Sequence, residues 1–325
     1  MAAGIMAPLV AEAEARGVDR ASMLGALGID QATLASRDGW VRVDRVFSAW
    51  ELAMRQTRYD GLPIAVATRS DIGALGVLGY ALYTGRDARS ALEALVRYHD
   101  LVNDSGTWKL RVTGDQCVMT WDRPGDRLLG LRVANEQVLA TFVALSDRFT
   151  MRRATIHEVT FRHPAPRDVR AHDTHFRCAV RWEAAEDAVA FDAAFLSETP
   201  RGFDPVTSAF FEKALAEEKE KAGPVGSWAH RVAGVVSGSL ATGLPTLGRV
   251  AEELGTSART LRRRLGEEGT GYEAILTDLQ QRRADAMLGR GAPLRDIAFA
   301  VGYADVSAFS RAYKRWTGAA PSEKR

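Results

Sequence analysis

The strongest constraint on this chain is a pattern that occurs twice toward its C-terminal end. In LGRVAEELGTSARTLRRRL, residues 247–265, Leu247, Val250, Ala251 and Leu254 fall at i, i+3, i+4 and i+7, the spacing of one buried face of a short helix. Gly255 then supplies a turn and Ser257 an N-cap for a second helix, whose apolar positions are Leu261 and Leu265. The run LRDIAFAVGYADVSAFSRAY, residues 294–313, does the same again. Leu294, Ile297, Ala298, Val301 and Gly302 lie 47 residues beyond Leu247, Val250, Ala251, Leu254 and Gly255. After one extra turn residue Asp305 takes the N-cap place of Ser257, and Phe309 and Tyr313 take the places of Leu261 and Leu265. One supersecondary unit is used twice, and two short helices joined by a glycine-bearing turn make a helix-turn-helix.

The exposed faces say what the units are for. At 100° per residue, Leu261 and Leu265 mark the buried side of the first recognition helix. Arg259, Arg262 and Arg263, with Thr260 beside them, are on the open side, and Arg264 lies some 100° further round. In the second helix Ser307, Ser310, Arg311 and Lys314 occupy the same arc, opposite Phe309, Tyr313 and Trp316. Three arginines on the open face of a short second helix suit guanine readout in the major groove or phosphate contact. A single face of this kind is also what ordinary solvation produces; its duplication argues for double-stranded promoter DNA. Between the units Tyr272–Gly289 reads as a connecting helix with Ile275, Leu276, Leu279, Ala286 and Leu288 apolar. A rigid spacer of this type sets two recognition helices in successive major-groove windows, about 34 Å apart.

Charge agrees. Residues 225–325 hold 15 Lys and Arg against 10 Asp and Glu, while the remainder holds 28 against 31, for a whole-chain balance of +2. A basic third on a mildly acidic body points that third at a polyanion.

The 325-residue length is enough for two domains. Residues 20–105 read as mostly helical, with helical spacing over Val43–Thr57 and Asp87–Leu101. Between them DIGALGVLGYALYTG, residues 71–85, has glycines that allow tight turns and close packing and match no phosphate-binding fingerprint. Period-two alternation at Trp108–Val112 and Cys117–Trp121 predicts paired strands, followed by a long amphipathic helix over Leu128–Phe149. Further strands are expected at Ile156–Arg162, Ala179–Trp182 and Ala188–Phe191, so the fold class is an α+β N-terminal domain with antiparallel strands, followed by an all-α double helix-turn-helix domain with a linker helix. The boundaries expected are 1–202 for the α+β effector and dimerisation domain, 203–224 for a linker helix and hinge ending at Gly223-Pro224, and 225–325 for the DNA-binding domain. Phe210, Phe211, Ala214 and Leu215 make an apolar stripe on the linker helix, suited either to a homodimer contact or to docking on its own domain.

Residues 225–325 resemble the DNA-binding domain of the AraC/XylS family, above all in DIAFAVGYADVSAFSRAYKRWTGAAPSEKR, residues 296–325. Matching that family's base-facing positions implies Arg259, Arg262, Arg263, Ser307 and Arg311 as the DNA-reading set. One departure is Gln280, where many members have an arginine in the linker helix, with Arg282 and Arg283 close by. More weakly, LGVLGYALYTGRDARSALEALVRYHDL (75–101) and HFRCAVRWEAAEDAVAFDAAFL (175–196) resemble the arabinose-binding-type effector domain of one branch of that family. The resemblance implies a regulator controlled by a small-molecule effector, a homodimer, and promoter work beside RNA polymerase. The alternative left open is a constitutive DNA-binding regulator whose first domain only mediates protein interaction.

Other chemistry finds less support. His157, His163, His172 and His175 fall close together, and HxxHxxC at 172–178 offers zinc or copper ligands, but Cys178 sits in an apolar context that reads as structural packing. No GxSxG, HExxH or P-loop motif marks an enzyme, and no metal or cofactor is expected. Tyr80, Tyr83, Arg97, Tyr98 and His99 are the candidate effector-pocket residues, with Arg97 placed to receive a carboxylate. The N-terminus lacks a signal-peptide pattern, no window is apolar enough to span a membrane, and two cysteines, Cys117 and Cys178, without CxxC spacing fit a reducing cytoplasm.

Overall fold

The computed structural model describes residues 1–36, 39–123, 128–222, 228–239, 243–289 and 291–324. They form two compact units, Met1–Gly28 with Val43–Lys221, and Ile29–Arg42 with Ala222–Arg325. The expected hinge at Gly223-Pro224 lies outside the described residues.

The first unit starts with α1 (Ala7–Ala15) and α2 (Arg20–Leu27); α3 (Gln31–Ala35) belongs to the second unit. Asp19 caps α2 by accepting from Ser22 N at 2.8 Å, and Gly28 ends it in the left-handed region at φ 69°. Then come α4 (Val43–Thr57), α5 (Leu62–Arg69), α6 (Gly76–Thr84) and α7 (Ala88–Tyr98). A capping box between Asp87 and Ser90 starts α7. The close packing expected of the 71–85 glycines is realised at Gly79, where a Cβ would lie 2.1 Å from Ile72 O.

Next are β1 (Thr107–Thr113), β2 (Gln116–Asp122) and the 21-residue α8 (Leu129–Phe149), buried on most of its circumference. After it come β3 (Ile156–Thr160), α9 (Arg170–Phe176), β4 (Ala179–Arg181), β5 (Asp187–Asp192) and α10 (Pro205–Ala222). The five strands form one sheet in the order β1-β2-β5-β3-β4. Three pairings are antiparallel, as expected, but β4 runs parallel to β3. Helix α9 is the reason: a parallel neighbour needs a crossover connection, and α9 supplies it.

The core between helices and sheet is built on Trp108, Trp121, Phe142, Phe161 and Phe191. It also encloses polar groups. Arg123, 1% exposed, donates to Asn135 Oδ1 and Ser105 Oγ, both at 2.9 Å, and Asn135 donates to Asp187 at 2.8 Å. Helix α10 docks on this same unit, with Leu215 fully buried and Phe211 stacked on Tyr80 at 5.5 Å. Phe210 and Val206 stay out, 66% and 79% exposed. Among the described residues no single helix is long and apolar enough to cross a membrane.

Candidate nucleic-acid interface

The second unit continues with α11 (Trp228–Ser239), α12 (Leu247–Glu253), α13 (Ala258–Glu267), α14 (Tyr272–Leu288), α15 (Leu294–Ala300) and α16 (Val306–Thr317). The sequence repeat is a repeat of hydrogen bonds. At the end of α12, Gly255 N donates to Glu252 O and Thr256 N to Ala251 O; at the end of α15, Gly302 N donates to Phe299 O and Tyr303 N to Ala298 O. Gly255 and Gly302 take φ of 66° and 86°, a region most other side chains avoid. Ser257 then caps α13 by accepting from Thr260 N at 3.1 Å, and Asp305 caps α16 by accepting from Ala308 N at 2.7 Å.

Each module has its own core. Val250, Ala251, Leu261 and Leu265 pack with Val232, Val235 and Val236 of α11 and Leu276 of α14. Ile297, Ala298, Val301, Phe309 and Tyr313 pack with Ala284 and Leu288, from the other end of α14. The linker helix is therefore a shared wall of both cores, which holds the recognition helices on one frame. Gln280 lies midway along it, 3% exposed, and donates to Val301 O at 2.8 Å. Tyr313 O–H donates to Asp285, also on α14, and burial pushes that phenol's pKa up. The side chains of Arg282 and Ala286 lie outside the described residues.

With Leu261, Leu265, Phe309 and Tyr313 buried, the opposite faces stand open. On α13 Arg259, Arg262, Arg263 and Arg264 are exposed, and Thr260 is half-buried with its hydroxyl 2.9 Å from Ser257 Oγ. Arg263 pairs with Glu267, and Arg264 reaches the same carboxylate at 3.4 Å. On α16 Ser307, Arg311 and Lys314 are exposed and Ser310 is half-buried. Among the described residues Arg259, Arg262, Arg311 and Lys314 have no intramolecular ion pair. These four cations are on call for an external anion.

Two supports are invisible at short range in the sequence. Glu268 caps α11 from 40 residues away, accepting from Trp228 N at 2.7 Å and Ala229 N at 2.8 Å. The segment Ile29–Arg42 is the other: Arg42 pairs with Glu253 of α12, and the Trp40 indole comes within 3.3 Å of where a Cβ on Gly234 would stand.

In the first unit a cavity of about 130 Å³ opens between α7 and α8, lined by Leu82, Leu92, Leu95, His99, Val138, Phe142 and Phe149 among others. His99 is thus the one effector-pocket candidate on its wall. Tyr80 is 42% exposed against Phe211, Tyr83 packs edge-on to Phe149, and Arg97 is exposed over the Tyr98 ring. His99 continues the Leu92–Leu95 stripe of α7 by four residues, a signal the sequence does contain. The histidine run is spread over several partners. His172 and His163 flank buried Glu136, at 2.9 Å and 3.4 Å, and burial lowers the His163 pKa. His175 reaches Ala140 O, His157 pairs with Asp192, and Cys178 points at a backbone carbonyl. His172 and His175 are on α9, which leads through Cys178 into β4. Among the described residues no three His, Cys, Asp or Glu side chains converge on a metal-sized position.

Comparison with known proteins brings both units together. Residues 17–199 match the family described as the arabinose-binding domain of AraC transcription regulator, N-terminal, and residues 250–325 match a helix-turn-helix domain family. An uncharacterized HTH-type transcriptional regulator of Mycobacterium tuberculosis is 28% identical over 333 residues, 96% of this chain and 92% of the relative. The ornithine utilization regulator of Pseudomonas aeruginosa is 26% identical over 279 residues, covering 81% of this chain and 78% of the relative. The HTH-type transcriptional regulator VqsM of the same organism is 37% identical over 82 residues, a quarter of each chain. Two repeated, capped, cation-faced modules behind an arabinose-binding-type domain make this chain a DNA-binding transcriptional regulator of the AraC family.

Proposed function

We propose that this regulator reads promoter DNA through α13 and α16, set in successive major-groove windows by α14, and that a small molecule held in the N-terminal unit shifts the population able to do so. The observation that carries the reading is the set of uncommitted cations, Arg259, Arg262, Arg311 and Lys314, on the open faces of two structurally repeated helices. Arg263, Thr260, Ser307 and Ser310 complete the contact surface. Such a protein acts in the cytoplasm, beside the DNA it binds, and contacts RNA polymerase at promoters it activates. Full-length protein should bind its native promoter with a log–log salt slope of about −0.9 per phosphate neutralised. Fluorescence anisotropy across a salt series measures this. Salt-independent binding, or full affinity in a variant with all four cations replaced by alanine, would sink the reading.

A second observation bears on assembly. Tyr80, Phe203, Val206 and Phe210 are 42%, 41%, 79% and 66% exposed around the start of α10. Apolar surface grouped in this way suits a partner, and a second copy of the chain is the partner that paired promoter sites call for. The constitutive, interaction-only alternative uses the same surface. Full-length protein should sediment as a dimer at micromolar concentration, and Val206→Glu with Phe210→Glu should shift it to monomer.

A further inference from the structure

The N-terminal domain type carries the name of a sugar, yet its cavity is not built for one. We propose that the cavity between α7 and α8 takes a small, uncharged, mainly apolar molecule of about the bulk of one substituted benzene ring, with its single polar group against His99. The inference rests on the reading above that the N-terminal unit holds a small-molecule site.

Size comes first. The space is about 130 Å³, and an apolar cavity of about 150 Å³ stays dry and accepts benzene. Its walls are aliphatic and aromatic, and no Asp, Glu, Lys or Arg side chain lines it. Met1, also on the wall, holds its amine against Asp104 at 3.1 Å, so a carboxylate or ammonium ion entering the cavity would shed its hydration with no uncommitted countercharge to replace it.

Several polar groups on the wall already have partners. Gln137 Nε2 donates to Thr141 Oγ1 at 2.7 Å, Ser146 Oγ to Phe142 O at 2.8 Å, and Thr150 Oγ1 to Ser146 O at 2.9 Å. Asn103 Oδ1 accepts from Ser105 N and Oγ, at 3.1 Å and 2.6 Å. A sugar would bring several hydroxyls to a wall with few groups to pair them, and each buried unpaired hydroxyl costs about tenfold or more in affinity. Gln137 Oε1 and Asn103 Nδ2 keep unused capacity, and so does the ring of His99. His99 is 7% exposed, its ring is held edge-on by Trp108 and Trp121, and that ring makes no hydrogen bond to a described residue. Burial and the Arg123 charge push its pKa down to about 3, so the ring is neutral, with one donor and one acceptor nitrogen. One hydroxyl is what that ring can satisfy.

Full-length protein is titrated with p-cresol, toluene and L-arabinose by calorimetry and thermal melting, as wild type and as Ala91→Phe, Val138→Phe and His99→Phe. Saturable 1:1 binding of p-cresol, with L-arabinose silent at the same concentrations, is expected. Ala91→Phe and Val138→Phe fill the cavity and should weaken p-cresol at least tenfold while keeping a cooperative melt. If neither variant folds, His99→Phe decides, because it should weaken p-cresol several-fold and leave toluene unchanged. Binding of L-arabinose in preference to p-cresol, unchanged p-cresol affinity in both filled variants, or no binding of either aromatic overturns the proposal. Promoter affinity with and without p-cresol is measured separately. A cavity that binds p-cresol with no change in promoter affinity supports this ligand class and removes effector control instead.

Discussion

The two helix-turn-helix modules share a backbone and differ in almost everything that fills and faces it. The first has an aliphatic core, Val232, Val236, Val250, Leu261, Leu265 and Leu276, and leans on α11 and the Ile29–Arg42 segment. The second has an aromatic core, Phe309 and Tyr313 with Tyr303 and Trp316 against it, and ties itself to α14 through Gln280 and Asp285. The first recognition helix shows four arginines and one acidic partner for two of them; the second shows serines with one arginine and one lysine. A frame held by local caps and a small apolar core leaves the open face free to diverge. On the proposed reading the first helix takes guanine and phosphate together and the second makes lighter contact, a division that experiment can break.

The largest effect should come from the second core. Ile297→Asp buries a charge at a fully buried position, at a cost of several kcal/mol. The second module should be lost, with promoter affinity falling to what the first provides, while the melting transition of the first unit stays in place. Calorimetry follows both transitions, and a joint collapse would show that the two units do not fold independently.

Next in size is Arg262→Ala on the open face of α13. A bidentate arginine–guanine pair is worth about 1–3 kcal/mol of discrimination, so the variant should lose that much on the cognate site and far less on scrambled DNA. Arg264→Ala should weaken both alike. Equal losses for Arg262→Ala on both sequences would make it a phosphate contact and erase the proposed division of labour.

Gln280 tests whether the second module depends on its polar ties. Gln280→Met keeps the bulk and removes the donor to Val301 O, which costs on the order of 1 kcal/mol for a hydrogen bond of this kind. The second unit's melting temperature should fall by a few degrees, and promoter affinity with it, by competition melts against wild type. An unchanged melt would assign the join between α14 and α15 to apolar packing alone.

What could be read from the chain beforehand was what is decided locally. The caps at Ser257 and Asp305 act on residues three positions away, and Val43–Thr57 runs as a helix to the same residues its periodicity marks. Arg42 meeting Glu253, and Glu268 capping α11, depend on chain reversal over long separations, for which no local pattern exists. The helix Arg170–Phe176 is hidden in the sequence because RAHDTHF has few apolar residues to show a period, and with it goes the parallel orientation of the expected strand that follows. At the cavity of the first unit, Tyr80, Arg97 and Tyr98 draw attention by residue type, whereas position just past the end of α7 puts His99 on the wall. A cavity is a space left between elements distant in sequence, and no residue pattern records it directly.

The smallest expected effect isolates Glu267. Its carboxylate takes Arg263 and touches Arg264, and all three side chains are about half exposed, so the pairing itself contributes little, within about 0–1 kcal/mol. Glu267→Gln should leave the melting temperature almost unchanged. On DNA it removes a negative charge near the phosphates and releases Arg263, so affinity should rise a few-fold at low salt, a gain that fades once the Debye length shortens. Asp305→Asn supplies the matched control on the second module, because asparagine caps a helix about as well as aspartate and the change removes one charge without freeing a cation. If the gain comes from Arg263, Glu267→Gln should exceed Asp305→Asn in anisotropy titrations at two salt concentrations. Equal gains would reduce the effect to net charge. Weaker binding by Glu267→Gln would reverse the argument: the ion pair would then be holding Arg263 in its reading position, and the acidic residue on the first helix would count as part of its contact surface.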